Sequence, residues 1–458
     1  MRIVFDRGTL LLEEVPEDVG VSRLPGVLWD SRVKRWRAPA HRHPEVAGAL
    51  RRLGMRVEDH AAAPGTLPLA LGHPPLRPYQ AAAKAAWALA GHRGTVVLPT
   101  GSGKTRLAMA AMAELGVPTL CLVPTRVLLH QWHEVLSAIC PFGVGILGDG
   151  VRDLRPITVS TFESALRHAH RIGNHFAFVV VDEAHHLGEK LHPETLEMLV
   201  APWRLGLTAT PSREEHALER LGRLVGPIAF ELAIADLAGS AWLAAYDAIT
   251  MHLDLEPEER SAYERDSARF RTALSQFFRT APDAAFAEFI KAAARSEEGR
   301  AAIVAGQRVQ RLLAFPQAKR RALGEVLRRH PDSRTLVFTA DNETAYAIAH
   351  EHLIMPLTCD IGRQERDEAL AAFRSGALRT LVSARVLNEG LDVPDADMAI
   401  VVGGALGERE HVQRVGRLLR PRAGKRALVY ELVIRNTAEV ERARKRRRGL
   451  APRAAAAL

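Results

Sequence analysis

Two neighbouring carboxylates, Asp182 and Glu183, follow directly after the apolar run 176–181. Such a run predicts a buried strand that delivers both side chains to its carboxyl end. Upstream, residues 98–105 read Leu-Pro-Thr-Gly-Ser-Gly-Lys-Thr, which is typical of a loop that wraps around phosphate groups. One carboxylate can hold Mg²⁺ through its coordination shell while the next orients a water molecule for attack on a γ-phosphate. Together the two segments predict nucleotide hydrolysis.

The glycine-rich loop contains the residue types that phosphate binding requires. Gly101 and Gly103 let the backbone bend closely around a phosphate, and the helix predicted after them adds N–H donors. Lys104 would reach the β- and γ-phosphates, and Thr105 would place its hydroxyl on Mg²⁺. Leu98 stands where the general pattern has glycine, but strand, loop and helix follow in the right order. The ATP-binding residues predicted in the loop are Thr100, Gly101, Ser102, Gly103, Lys104 and Thr105.

The polar residues after the strand also allow a structural interpretation. Asp182 and Glu183 would suit the start of a helix, as a capping residue and a first-turn acid. Their combination with Lys104 favours catalysis, with Asp182 in the metal shell and Glu183 orienting the attacking water. His185 and His186 are adjacent and lack further ligands at zinc spacing. For these histidines we predict a relay or capping role at a domain interface.

A second cationic group lies near the end of the chain. Gln413, Arg417 and Arg420 recur at three- and four-residue spacings, which places them on neighbouring turns of one helix. An arginine-rich helix alone is usually a solvated face. A nucleotide bound by the first α/β half, however, needs positive charge from outside its own loop, and an arginine finger contributes about 10³–10⁵ in rate. Arg417 and Arg420 are therefore the predicted arginine fingers.

The composition indicates a globular protein of roughly two to four domains. The 458 residues are 47% hydrophobic and 25% charged, and no apolar run approaches the about 18 residues of a membrane span. Three widely separated cysteines lack metal-ligand spacing, which suits a reducing cytoplasm. Seven basic residues and no acid lie in 442–458, and they account for most of the net charge of +9. Such a run is more often a solvated, mobile end than a nucleic-acid contact.

Alternating helices and short apolar strands must position these side chains. Strands are predicted at 95–98, 118–123, 157–160, 176–181 and 204–207, and again at 335–338, 380–383, 398–402 and 427–432. This rhythm indicates two parallel sheets covered on both faces. The first 60 residues read as a small α+β unit. Residues 233–305 read as mainly helical, and with eleven acids against nine bases in 240–310 they do not form a basic clamp.

The ordered motifs resemble those of superfamily 2 helicases. They are Thr-Gly-Ser-Gly-Lys-Thr at 100–105, Asp-Glu-Ala-His-His at 182–186, Leu-Thr-Ala-Thr-Pro at 207–211 and Gln-Arg-Val-Gly-Arg-Leu-Leu-Arg at 413–420. Leu-Arg-Pro-Tyr-Gln at 76–80, the second histidine and Arg-Glu-Glu at 213–215 are more similar to the XPB family in its short archaeal and bacterial form. The N-terminal unit resembles that family's damage-recognition domain, and the helical insert resembles its thumb.

The resemblance implies an α/β fold with two RecA-like parallel-sheet domains, a small N-terminal α+β domain and a helical thumb-like insert. The expected divisions are 1–60 for the damage-recognition-like domain, 61–75 for a linker, 76–232 for the ATP-binding RecA-like domain 1, 233–305 for the insert, 306–441 for RecA-like domain 2 and 442–458 for the basic tail. The implied cofactors are ATP and Mg²⁺, with Thr105 and Asp182 at the metal.

Individual roles also follow from the resemblance. Gln80 would read adenine with Arg77 nearby, and Asp392 would lie at the nucleotide in the interdomain cleft. Lys104, Asp182, Glu183, Gln413, Arg417 and Arg420 would form the catalytic set. Coupling of hydrolysis to movement would fall to His185, Thr208, Thr210, Glu389 and Gly390. Contacts to DNA would come from Pro124, Thr125, Arg126, Ser160, Thr161, Arg213, Glu214 and Glu215, where Glu215 replaces the aspartate of the family's DNA-opening element.

These residues predict an ATP-dependent DNA translocase or 3′-to-5′ helicase that opens DNA in nucleotide excision repair. We expect a monomer in the cytoplasm, with a nuclease as a further partner and no membrane association. An RNA-directed helicase is one alternative, because backbone contacts do not select the sugar. An ATP-switched DNA-binding scaffold that recruits a nuclease is another, since Trp29 and Trp36 could stack on distorted bases. Both tryptophans could equally be core residues of a small sheet.

Overall fold

A computed structural model describes residues 1–16, 20–62, 65–67, 70–211, 214–237, 245–384, 396–403 and 426–448. The chain forms two compact units, of which the first spans Met1–Asp236 and the second begins at Leu237. Among the helices of these ranges, none combines the length and the apolar character that crossing a membrane requires.

A small sheet begins the first unit. Its elements are β1 (Arg2–Asp6), β2 (Thr9–Glu13), β3 (Leu28–Asp30), β4 (Arg35–Pro39), α1 (His43–Arg52) and β5 (Glu58–Asp59). The β1–β2 hairpin and the β3–β4 pair are antiparallel, while β5 runs parallel to β1. Alternate strand residues such as Ile3, Leu10 and Leu12 pack with Val46 and Leu50 of α1. The combination of strands and one helix agrees with the small α+β unit that the sequence predicts.

An eight-stranded sheet forms the centre of the first unit. Its strands are β6 (Arg93–Val97), β7 (Thr119–Val123), β8 (Gly145–Gly148), β9 (Val151–Asp153), β10 (Ile157–Thr161), β11 (Phe178–Asp182), β12 (Trp203–Thr208) and β13 (Ile228–Glu231). The helices are α2 (Pro78–Leu89), α3 (Lys104–Leu115), α4 (Arg126–Ser137), α5 (Phe162–Ile172), α6 (Pro193–Glu197), α7 (Glu215–Leu224) and α8 (Ile234–Leu237). All residues of β7, β10 and β11 are buried, as expected for parallel strands covered on both faces.

The strand order brings the sequence motifs to one edge of this sheet. The strands lie in the order β13-β6-β12-β11-β7-β10-β8-β9 and are parallel except for the β8–β9 pair. The phosphate loop follows β6, while Thr208, Asp182 and Thr161 end β12, β11 and β10. Because the carboxyl ends of parallel strands share an edge, these residues face one region, where ligands of open α/β sheets bind.

The second unit contains another parallel sheet. Its strands are β14 (Ala245–Leu253), β15 (Thr335–Phe338), β16 (Met355–Leu357), β17 (Thr380–Ser383), β18 (Met398–Val401) and β19 (Arg426–Ile434), in the order β14-β19-β18-β15-β17-β16. Its helices are α9 (Pro257–Thr280), α10 (Phe286–Ala293), α11 (Glu297–Ala314), α12 (Gln317–Arg329), α13 (Asn342–His352), α14 (Arg363–Ser375) and α15 (Ala438–Arg448). Val337, Val382 and Ile400 lie in its apolar core.

The structure corrects the sequence prediction at two places. Residues 245–253, assigned to a mainly helical insert, form β14 and pair along their whole length with β19. That partner is far away in the sequence, so the local pattern did not reveal it. Residues 442–448, assigned to a mobile basic tail, continue helix α15. The predicted helical character of the insert holds for α9, α10 and most of α11.

Candidate functional site

The predicted phosphate loop joins β6 to α3 and has the curvature that phosphate binding needs. Gly101 (φ 82°) and Gly103 (φ 80°) both adopt left-handed backbone angles, which favour glycine. Lys104, the first residue of α3, donates from Nζ to the carbonyl of Leu98 at 3.3 Å. Leu98, which stands where the general pattern has glycine, contributes its backbone carbonyl to this bond, and the loop keeps the glycine angles that phosphate binding needs.

Side chains of helix α2 hydrogen-bond to the backbone of the phosphate loop. The Gln80 side chain is fully buried, and its Nε2 donates to the carbonyls of Ser102 (2.7 Å) and Gly103 (3.2 Å). Its Oε1 accepts from the backbone N–H of Arg77 at 2.9 Å. Tyr79, which the sequence reasoning missed, donates its hydroxyl to the same Ser102 carbonyl at 2.7 Å. In this conformation Gln80 shapes the loop, and its contact to adenine stays a prediction.

Asp182 ends β11 in a buried position. Its Oδ2 accepts from the indole N–H of Trp132 at 2.9 Å, and its Oδ1 accepts from the backbone N–H of Glu183 at 3.0 Å. Burial, reinforced by the charge of Glu183, raises the pKa of Asp182, although Lys104 opposes this shift. Trp132 was not among the predicted site residues, because its position inside an amphipathic helix is also that of an ordinary core residue.

Glu183 occupies a strained backbone position (φ 48°, ψ 50°), which a non-glycine residue adopts at a cost of about 1–3 kcal/mol. Its Oε2 lies 3.3 Å from Nδ1 of His185. Burial disfavours its charge, but the neighbouring His185 and the charge of Lys104 outweigh burial and lower the pKa of Glu183. The carboxylate is thus held ionised beside the phosphate loop, as a water-orienting group requires.

A chain of short contacts leads from Glu183 to the next strand. Nδ1 of His185 also lies 3.0 Å from Oγ1 of Thr208, the buried last residue of β12. The same hydroxyl accepts from the backbone N–H of Thr210 at 3.2 Å and donates to its carbonyl at 3.1 Å. The predicted coupling residues His185, Thr208 and Thr210 are therefore in direct contact, and their role in coupling stays a prediction.

The site fits a nucleotide with a bound cation. The buried hydroxyls of Thr100 and Thr210 have no hydrogen-bond partner among the residues that the structure describes. Carboxylate and hydroxyl oxygens, such as those of Asp182 and Thr105, are ligands that Mg²⁺ prefers. Throughout the described ranges, this site included, no group of three or more His, Cys, Asp and Glu side chains could hold a metal ion.

The predicted DNA contacts at the same edge follow β7 and β10. The hydroxyls of Thr125 and Thr161 accept from the backbone N–H groups of Leu128 (3.3 Å) and Ser164 (3.2 Å). Both hydroxyls cap helices, so the N–H groups of the first turns of α4 and α5 are the better candidates for phosphate contacts. Pro124 lies half-buried before the first of these helices.

Two other predicted contacts differ in exposure. The side chain of Arg126 is 74% exposed and lies 3.2 Å from Asp149, so a DNA strand can reach this side chain. Ser160 is fully buried, and its hydroxyl donates to the carbonyl of Leu147 at 2.9 Å. The sheet interior occupies this side chain, and the contact of Ser160 to DNA stays a prediction. Glu214 and Glu215 are exposed at the start of α7.

Seven predicted site residues lie outside the described part of the chain. They are Arg213, Glu389, Gly390, Asp392, Gln413, Arg417 and Arg420. Their roles as DNA contact, coupling residues, nucleotide contact and arginine fingers stay predictions.

The two tryptophans of the N-terminal sheet have different environments. Trp29 is 52% exposed, whereas Trp36 is half-buried and packs against the core. Their rings meet edge to face with centroids 5.2 Å apart. Of the neighbouring basic residues, Arg37 pairs with Asp6 at 2.9 Å. Trp36 is thus a partly packed residue, and Trp29 retains an exposed aromatic face.

The fold matches solved helicase domains. It superimposes on the helicase domain of Hef from Pyrococcus furiosus with a TM-score of 0.55 at 19% identity, covering 81% of this chain and 98% of that one. Dbp5 from Saccharomyces cerevisiae, solved with RNA and ADP BeF3, gives a TM-score of 0.53 at 15% identity, with 81% and 87% covered. The predicted pair of RecA-like sheets is confirmed, and the fold is that of proteins with two RecA-like helicase domains.

Family models match three segments of the chain. Residues 73–213 match the type III restriction enzyme res subunit, and 318–422 match the helicase conserved C-terminal domain. Residues 3–61 match the Xeroderma pigmentosum group B helicase damage recognition domain. The DNA 3'-5' translocase XPB2 of Sulfurisphaera tokodaii is 36% identical over 92% of this chain and 96% of its own length. The chain therefore belongs to the XPB family of helicases.

A second relative is longer than this chain. The DNA 3'-5' helicase XPB of Mycobacterium tuberculosis is 30% identical over 82% of this chain, which spans 64% of that protein. The resemblance predicted from the motifs is confirmed by both relatives.

Proposed function

We propose that this protein is an ATP-dependent DNA translocase or helicase that moves 3′ to 5′ and opens DNA during excision repair. The observation that carries the proposal is Glu183, held ionised by His185 beside the loop of Lys104. The relative of this protein in Sulfurisphaera tokodaii is named a DNA 3'-5' translocase. This name supports the 3′-to-5′ polarity and DNA as the substrate. The relatives' names favour DNA over RNA, and a motor over an ATP-switched scaffold.

Each functional residue of the first unit has a separate proposed role in ATP hydrolysis. The loop from Thr100 to Gly103 wraps the phosphates, and Lys104 leaves the Leu98 carbonyl to neutralise the β- and γ-phosphate charge. Mg²⁺, held by Thr105 and Asp182, would supply a Lewis acid at these oxygens. Glu183 orients water in line with the γ-phosphate, and its strained backbone aims the carboxylate.

Further roles in hydrolysis are proposed for residues of the second half of the sequence. Arg417 and Arg420 would supply positive charge to the transition state, and the sequence spacing predicts Gln413 on the same helix face. From the motifs of the sequence, Glu389 and Gly390 would couple hydrolysis to movement, and Asp392 would contact the nucleotide. The support is the motif order in the sequence and the match of 318–422 to the helicase C-terminal domain.

DNA would be held mainly through its backbone, which makes binding largely independent of sequence. Pro124, Thr125, Arg126 and Thr161 lie at one edge of the first sheet, and Arg213, Glu214 and Glu215 would act where the strands separate. We extend the proposal to a monomer in the cytoplasm that works with a nuclease, in keeping with the expectation from the sequence.

The first experiment removes the phosphate-binding lysine. We expect Lys104→Ala to abolish the ATP turnover that DNA stimulates in the parent protein, because the γ-phosphate loses its main cation. Lys84→Ala is the matched control, since Lys84 pairs with Glu114 on the surface of α2 and should keep full turnover. Undiminished turnover in Lys104→Ala would reject the proposed ATP site.

The second experiment identifies the track. ATP turnover and strand displacement are measured with single-stranded, duplex and forked DNA and with matched RNA. We expect stimulation by DNA and displacement on forks. Stimulation by RNA alone would favour the RNA-directed alternative, and ATP binding without displacement or translocation would favour the scaffold.

A further inference from the structure

Helix α4 joins the predicted DNA edge to the metal-binding carboxylate. Its first residue, Arg126, is an exposed cation, and its seventh residue, Trp132, is buried against Asp182. The rise of an α-helix, about 1.5 Å per residue, separates these two positions by only about 9 Å. A contact made at one end therefore acts on the other through a single rigid element.

The exposed end of α4 is held by an acidic residue of the chain itself. Asp149 lies at the turn between β8 and β9, with its carboxylate 3.2 Å from Arg126 and 3.0 Å from Nε2 of His130. Arg126 and His130 are four residues apart and so share one face of the helix. A DNA phosphate needs the same guanidinium, so DNA and Asp149 compete for Arg126.

The buried end of α4 reaches the active carboxylate. Trp132 is 3% exposed, and its indole N–H donates to Oδ2 of Asp182 at 2.9 Å. Indole has a single donor and no acceptor, so this bond is the one polar interaction its ring can make. The bond fixes one of the two oxygens that Asp182 has for the metal shell.

We propose that α4 transmits DNA binding to the ATP site, with Trp132 as the positioning residue for Asp182. This inference rests on the proposed function, because it presumes that DNA stimulates hydrolysis. Without DNA, Asp149 holds α4 at its first turns and the indole holds Oδ2. When a phosphate takes Arg126 from Asp149, the helix shifts and Trp132 turns the carboxylate towards the metal.

The test compares two variants that lose the same chemical group. Trp132→Phe removes the indole donor at Asp182 and keeps an aromatic ring. Trp87→Phe is the matched control, because Trp87 is fully buried in α2 and donates its indole N–H to the carbonyl of Arg204 at 2.9 Å. Turnover is measured with and without single-stranded DNA over a series of Mg²⁺ concentrations, and DNA affinity is measured without nucleotide.

We expect Trp132→Phe to lower the ratio of DNA-stimulated to DNA-free kcat about tenfold, a usual size for coupling between two sites. The Mg²⁺ concentration for half-maximal turnover should rise, while DNA affinity stays that of the parent because Arg126 is unchanged. Trp87→Phe should keep the parent's ratio. An unchanged ratio in Trp132→Phe, or an equal loss in both variants, would overturn the inference.

A surface variant tests the other end of the helix even if Trp132→Phe does not fold. Asp149→Asn weakens the hold on Arg126, so DNA-free turnover should rise about threefold or more, as expected for a partial release of the resting state. DNA-free turnover equal to that of the parent would count against the inference. Absence of DNA stimulation in the parent protein would instead reject the proposed function, so the two failures are distinct.

Discussion

His41 makes the stability of the first unit depend on pH. It lies in the turn before α1, is 5% exposed, and has its Nδ1 3.3 Å from the carbonyl of Glu197 at the end of α6. Burial lowers the pKa of His41 to about 4, and the charges of Arg204, Arg42 and Arg93 add to this shift while the Glu197 carbonyl opposes it. The residue thus joins the N-terminal sheet to the next domain in its neutral form.

The size of the effect follows from the two pKa values. In the unfolded chain the pKa of His41 returns to 6.5. Below that pH His41 binds a proton in the unfolded state but not in the folded state. Above pH 6.5 His41 is neutral in both states and does not lower the free energy of unfolding. As the pH falls from 6.5 towards about 4, the free energy of unfolding decreases. At pH 5 the loss amounts to about 2 kcal/mol relative to pH 8, of a maximum of about 3 kcal/mol.

The assay is urea unfolding, followed by tryptophan fluorescence at both pH values. His41→Asn serves as the reference, because its Nδ2 can donate to the Glu197 carbonyl from the position of Nδ1 and does not titrate. We expect the parent to lose about 2 kcal/mol more than the variant between pH 8 and pH 5. Equal losses in both proteins would refute the assignment of this pH dependence to His41.

Two further predictions concern buried carboxylates. Glu183→Gln keeps the side-chain shape but removes the charge that orients water, so kcat for ATP should fall about 10²–10⁴-fold. Binding of a fluorescent ATP analogue should be kept, and a loss of binding instead of turnover would contradict the role of Glu183. Glu439→Gln removes the carboxylate that lies 2.7 Å from the fully buried ammonium of Lys319, which should cost about 3–5 kcal/mol of unfolding free energy. Chemical denaturation at neutral pH measures this cost, and a variant as stable as the parent would show that the pair contributes little.

Local sequence was enough to place the catalytic elements. The glycines of residues 98–105 are enough to predict the phosphate loop, because the loop's backbone angles are a local property of the sequence. The apolar run before Asp182 determines β11, and the end of a parallel strand determines the edge at which Asp182 and Glu183 appear. Helix α3 begins at Lys104, directly after the glycine loop, as the sequence predicts.

Tertiary structure decided the partners of these residues. Trp132 precedes Asp182 by 50 residues, and nothing in the pattern of α4 distinguishes it from a core tryptophan. Ser160 reads as a polar residue at a strand end, yet the sheet buries it. Strand β14 forms only because β19 pairs with it. In each case the deciding contact joins segments far apart in the chain, and only the packing of helices on the sheet brings donor and acceptor within hydrogen-bond distance.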